Sequence, residues 1–169
     1  GNTVMVRSDE SCLYSPSTLA ITNCTVDVVC SGNSSDGIYS TNGITINGIS
    51  GGTNCVTVRS NYRGINTPSS VAITNCNVEV TGAMLTENTY NPCSDNGING
   101  PNGNTLTGCA TGNNVTVRSA KFCLYSEIGN LAITNCMVDV ASTDNHAIGA
   151  SNVNFNGGQL TAIAPDEYK

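Results

Sequence analysis

The line "LAITNCTVDV" at 19–28 returns as "VAITNCNVEV" at 71–80 and as "LAITNCMVDV" at 131–140. A chain that writes one line three times builds one unit three times. A unit this small buries its apolar face only by stacking on copies of itself. Longer copies frame the line: "GNTVMVRS" (1–8) recurs as "GTNCVTVRS" (52–60) and "GNNVTVRS" (112–119). Likewise "SCLYS" (11–15) recurs as "FCLYS" (122–126), with "DGIYS" (36–40) as a looser copy. Inside this large unit lies a smaller one, because "GITING" (43–48) repeats the pattern of "LAITNC".

Aligning the copies yields a coil of three short strands. The first is like Leu19–Thr22, the second like Thr25–Val29 and the third like Gly37–Ser40. First strands begin at Leu19, Ile44, Val71, Asn104, Leu131 and Val153, each with apolar residues in alternation. Asn, Gly and Ser fill the bends between them. No window carries apolar residues at helical spacing over three turns, and helix formers are scarce. The expectation is an all-β parallel β-helix (β-solenoid) of about six coils, three short strands per coil. Residues 1–169 then form a single domain of three tandem two-coil repeats, about 1–51, 52–110 and 111–169. A β-sandwich fits less well, because Asn-Gly hairpin signals between strands are few.

Stacking turns the alignment into columns. Val26, Val56, Val78, Val115 and Val138 point inward, as do Val28, Val58, Val80, Val117 and Val140 two residues on. Leu13, Ile38, Ile65, Ile98, Leu124 and Ile148 form the inward column of the third strand. Each buried side chain of this kind is worth roughly 1.5–3 kcal/mol. Nine cysteines are an odd number, and the sequence leaves their pairing open. Cys24, Cys76 and Cys136 lie two coils apart, about 10 Å, too far to bond to one another, and read as small buried residues. Asn23, Asn75 and Asn135 occupy the bends, where they are expected to bond to neighbouring backbone.

The outward positions carry charge that alternates coil by coil. Asp27, Glu79 and Asp139 share one column, and Arg7, Arg59 and Arg118 lie two residues along in the intervening coils. Each acid then sits diagonal to arginines above and below, as a register-fixing ladder. The same strip can grip a sugar polymer, with arginine paired to the carboxylates of an acidic one. The loop before the third strand varies most, and a site is expected in what differs between copies rather than in what repeats. It holds Asp36, Tyr62, Arg63, Asp95, Lys121, Asp144 and His146, and one copy is extended to "GAMLTENTYNPCSD" at 82–95. Candidate ligand-binding residues are Arg59, Tyr62, Arg63, Tyr90, Arg118 and Lys121. Asp36, Asp95 and Asp144 are candidate calcium ligands, at separate sites because they stand in alternate coils.

Other chemistries lack their residues. Six basic side chains in a chain of net charge −6 make no phosphate-tracking patch, which argues against nucleic acid. No apolar run is long enough to span a bilayer. With His146 the only histidine and no CxxC pair, structural zinc is not expected. No nucleophile elbow, phosphate loop or HExxH is present, and no catalytic residue is assigned.

The repeat wording, "LAITNC", "VDV", "DGIYS" and "NGITING", resembles the right-handed parallel β-helix class that includes pectate lyases, and within it bacterial surface carbohydrate-binding proteins. The resemblance covers about 150 residues and rests on repeat style, not on a catalytic motif. It implies a right-handed helix and a secreted or bacterial cell-surface protein that binds polysaccharide, with calcium assisting at a uronic-acid-rich one. A non-catalytic binding or adhesive module is the favoured expectation. The alternatives are a segment of a longer surface repeat protein and a polysaccharide lyase. The chain begins and finishes in second strands without a helical cap, so flanking domains or end-to-end self-association are expected. A flat threonine row of the kind ice-binding solenoids use is a lesser option, in Thr22, Thr45, Thr74 and Thr134, because charged rows lie beside it.

Overall fold

The computed structural model describes residues 2–49, 51–53, 55–81, 84–86, 89–90, 93–110 and 112–168. The chain winds into a parallel β-solenoid of about six coils. Each coil presents one strand to each of three faces. The first face is built from Leu19–Thr22, Ile44–Asn47, Val71–Thr74 and Asn104–Thr107. The second contains Asn2–Ser8, Cys24–Cys30, Cys55–Ser60, Asn77–Thr81 and Asn113–Ser119. The third contains Leu13–Ser15, Ile38–Ser40, Ile65–Asn66 and Ile98–Asn99. Two long strands, Leu124–Ser142 and Ile148–Ile163, bend round the corners and run along all three faces in turn.

The registers are those the repeats dictate. On the second face Val4, Val26, Val56, Val78, Val115, Val138 and Leu160 stack coil on coil. Leu13, Ile38, Ile65, Ile98, Leu124 and Ile148 do so on the third. On the first face Ile21, Ile46, Ile73, Leu106, Ile133 and Phe155 stack likewise. In the middle coils these side chains are buried, and together they form one continuous core. At the two ends of the stack the same columns open to solvent: Val4 at one, Val153 and Phe155 at the other.

Two kinds of corner alternate between the first and second faces. Asn23, Asn75 and Asn135 stand at φ of 53°, 51° and 51°, the left-handed region that asparagine tolerates better than other side-chain-bearing residues. The Asn75 and Asn135 carbonyls point at the preceding coil. A Cβ on Gly48 would lie 2.0 Å from the Asn75 oxygen, and one on Gly108 would lie 2.1 Å from the Asn135 oxygen. An asparagine corner therefore stacks only on a glycine corner. The asparagines' role at the bend is thus chiefly backbone geometry, with the Asn23 and Asn75 N–H groups donating to the next coil at Asn47 and Thr107.

Cys12 and Cys30 form a disulfide that ties the first coil to the second. Closing a loop of this size is worth about 3 kcal/mol in the chain-entropy account. Cys76 and Cys136 are buried, whereas Cys24, in the more open end coil, is only partly so. Burial pushes the thiol of Cys76 up to about 11 and that of Cys93 up to about 12, which keeps both protonated and inert.

Candidate functional site

The three faces differ sharply in chemistry. Outward positions of the first face are Ala20, Thr22, Thr45, Asn47, Ala72, Thr74, and onward through Thr105, Thr107, Ala132 and Thr134, with no charged residue among them. The charged rows lie round the corner on the second face.

There the ladder takes the following form. Asp27 bridges Arg59 at 2.5 Å and Arg7 at 3.7 Å. Arg118 donates to the Asp139 carboxylate at 2.6 Å and to its carbonyl at 2.9 Å. Glu79 joins no ion pair among the described residues, because the arginines on either side each turn to the other neighbouring acid. Beside Arg118 lies a shallow groove of about 570 Å³, walled by Asn114, Thr116, Met137, Asp139 and Thr161.

A second alternating column follows the corner between the second and third faces: Asp36, Arg63, Asp95, Lys121 and Asp144, one per coil. Arg63 Nε donates to Asp36 Oδ1 at 2.9 Å, and Lys121 Nζ lies 3.0 Å from Asp95 Oδ1. The Tyr62 ring sits under the Arg63 guanidinium, 4.5 Å from ring centre to Cζ, a cation–π contact. Asp36 is buried and also accepts from Asn66 Nδ2 at 2.7 Å, and Asn66 in turn accepts from Asn99 at 2.7 Å. Asp144 stands exposed, its N–H bonded to the Ala120 carbonyl. Asp36 and Asp95 are thus each committed to a cation. Among the described residues no group of three or more His, Cys, Asp or Glu is placed to hold a metal ion.

Burial raises the Asp36 carboxyl above the ordinary carboxylate value, and the neighbouring Asp95 charge adds to this. Asn66 and Arg63 oppose the shift without cancelling it. Between the ordinary and the raised value the folded protein binds more protons than the unfolded one, so this group's contribution to stability falls as pH rises through that window. Asp36→Asn is therefore expected to match the parent below the carboxylate range and to be the more stable of the two near pH 7. Urea midpoints across the acid range check this, and a variant that loses ground as pH rises contradicts it.

The outward column of the third face reads Tyr14, Tyr39, Asn66, Asn99, Tyr125 and Gly149, in register across the stack. At one end Tyr14, 61% exposed, stacks on Tyr39 with centroids 5.7 Å apart and planes inclined by 13°. At the other, Phe122 lies between Tyr125 at 4.9 Å and His146 at 5.9 Å. Gly149 makes room for that cluster, since a Cβ there would lie 2.6 Å from the Phe122 ring. Tyr62, Arg63 and Lys121 border this face. Arg59 and Arg118 belong to the second face instead, and the side chain of Tyr90 lies outside the described residues.

The face therefore offers two aromatic patches with tyrosine hydroxyl and histidine imidazole groups on and beside them, while the Asn66 and Asn99 amides between them are turned to Asp36 and to one another. Flat rings flanked by hydrogen-bonding groups suit a ligand with an apolar face and a polar rim. Compared with protein-family models, curated proteins and solved structures, the chain finds no match. No helix among the described residues is long and apolar enough to cross a membrane.

Proposed function

We propose that the protein is a non-catalytic carbohydrate-binding module of a secreted or cell-surface protein, with the third face as its contact surface. The observation that carries the reading is the solvent-facing Tyr14–Tyr39 stack in line with the Phe122–Tyr125–His146 cluster. Pyranose rings present C–H faces that lie on aromatic rings and hydroxyls that reach the phenol and imidazole groups beside them. The parallel stack supplies a rigid support, which limits the ordering cost of binding. The Cys12–Cys30 disulfide supports an extracellular setting, where such bonds persist.

Affinity electrophoresis through gels containing polygalacturonate or neutral glucans, each with calcium and with chelator, tests the reading. Retardation by at least one polymer is expected, lost when Tyr14 and Tyr39 are both replaced by alanine. Unchanged mobility in every gel would sink it. Release of unsaturated uronate products would instead point to a lyase.

A second reading, self-association end to end through a second copy, is favoured by the open apolar columns at Val4 and at Val153 and Phe155. Sedimentation velocity over a range of concentrations decides it, with a lone monomer at the highest concentration counting against it.

A further inference from the structure

We infer that the third face takes an uncharged glycan chain, laid parallel to the solenoid axis and held at both aromatic patches at once. This deepens the carbohydrate-binding reading and rests on it. Two independent observations support it, one about charge and one about spacing.

The first is that the cations among the described residues are already paired with carboxylates. Of the protein's six basic residues, the five described, Arg7, Arg59, Arg63, Arg118 and Lys121, each lie within 4.0 Å of a carboxylate. Arg63 and Lys121, the two that border the third face, are held by Asp36 and Asp95. A uronic-acid polymer would have to displace those carboxylates one by one, and do so against a net charge of −6. An uncharged chain meets no such cost. The expectation of an acidic polysaccharide, drawn from the same arginines and lysine, is replaced here by a neutral one.

The second observation is the distance between the patches. Tyr39 and Tyr125 occupy one outward column, separated by the Asn66 and Asn99 coils. Three coil steps of about 4.8 Å put them roughly 14 Å apart along the axis, several sugar units of an extended chain. Between them the column is amide, with Asn66 buried and Asn99 partly so. A short saccharide therefore reaches one patch, whereas a chain long enough to span both gains the second contact as an intramolecular step.

Isothermal titration with neutral β-linked gluco-, xylo- and manno-oligosaccharides, from dimers to octamers, tests this. Galacturonate oligomers serve as the charged comparison. Affinity for at least one neutral series is expected to jump by about 100-fold at the length that spans the patches. Tyr39→Ala and Tyr125→Ala should each bring the long chain back to the affinity of the short one, with circular dichroism confirming the fold. A smooth rise with length, or a long-chain affinity that only one of the two variants lowers, overturns the two-patch inference. Tighter binding of galacturonates, sensitive to Tyr39→Ala, overturns the uncharged ligand but leaves the third face a glycan site. Binding of no oligosaccharide in either series removes the reading beneath it.

Discussion

Ile65→Ala is expected to lower the free energy of unfolding by about 2–5 kcal/mol. The side chain is fully buried, and Ile38 and Ile98 lie directly below and above it in the same column. Removing it leaves a void between two coils whose backbones are fixed at the strand spacing, so the neighbours cannot close in to fill it. The cost should therefore sit in the upper half of that range. Urea unfolding followed by circular dichroism measures it, with the midpoint moving and the slope holding if the stack still unfolds as one unit. Thr57→Ala, at an outward position two coils from one end and four from the other, is the control and should stay within about 0.5 kcal/mol. A small loss at Ile65 would mean that coils slide together more freely than a packed solenoid allows.

How much of this was legible in the sequence depends on which contacts repeat. The columns were readable because the same apolar letter at the same place in each copy has only one way to be buried in all of them. The charge ladder was readable for the same reason, although the choice each arginine makes between two acids was not. Glu79 is the case in point: its sequence position equals that of Asp27, yet Arg59 turns to Asp27. The Cys12–Cys30 bond was not readable. It joins a corner of one coil to the end of a strand in the next, and nothing in the alignment of copies marks that diagonal.

The candidate site was legible in part, and for an instructive reason. A site was sought among residues that differ between copies, which picked out Tyr62, Arg63 and Lys121 beside the third face. It passed over Tyr14, Tyr39 and Tyr125, because these belong to the repeated "CLYS" and "GIYS" lines. Their signal was parity rather than variation. Each follows the inward Leu13, Ile38 or Leu124 by one residue, so a strand must turn it outward. A large ring repeated at an outward position is as informative as one that varies. Arg59 and Arg118 show the other side of this: as a repeated outward strip they read equally well as a ladder or as a grip on a ligand, and stacking supplies each with a carboxylate from the chain itself.

Gly108→Ala is expected to cost about 3 kcal/mol, the upper end of the overpacking range, although it adds a single methyl group. The glycine is not at a positive φ, so alanine meets no conformational penalty of its own there. What it meets is the Asn135 carbonyl oxygen, 2.1 Å from the new Cβ. That oxygen is held by an asparagine in the left-handed region at φ 51° and cannot rotate aside without moving the corner. Gly51→Ala separates the two causes, since Gly51 has a φ of 74° and no atom within 4 Å of an added Cβ. It should cost only about 1–2 kcal/mol, from conformation alone. Gly48→Ala repeats the Gly108 collision against Asn75, and because the two corners are two coils apart the losses should add. Additivity would show that the asparagine corner on a glycine corner is a local rule applied at each step. It would also explain why the sequence repeats every two coils rather than every one: charge sign and corner type alternate together, so only alternate coils can carry the same line.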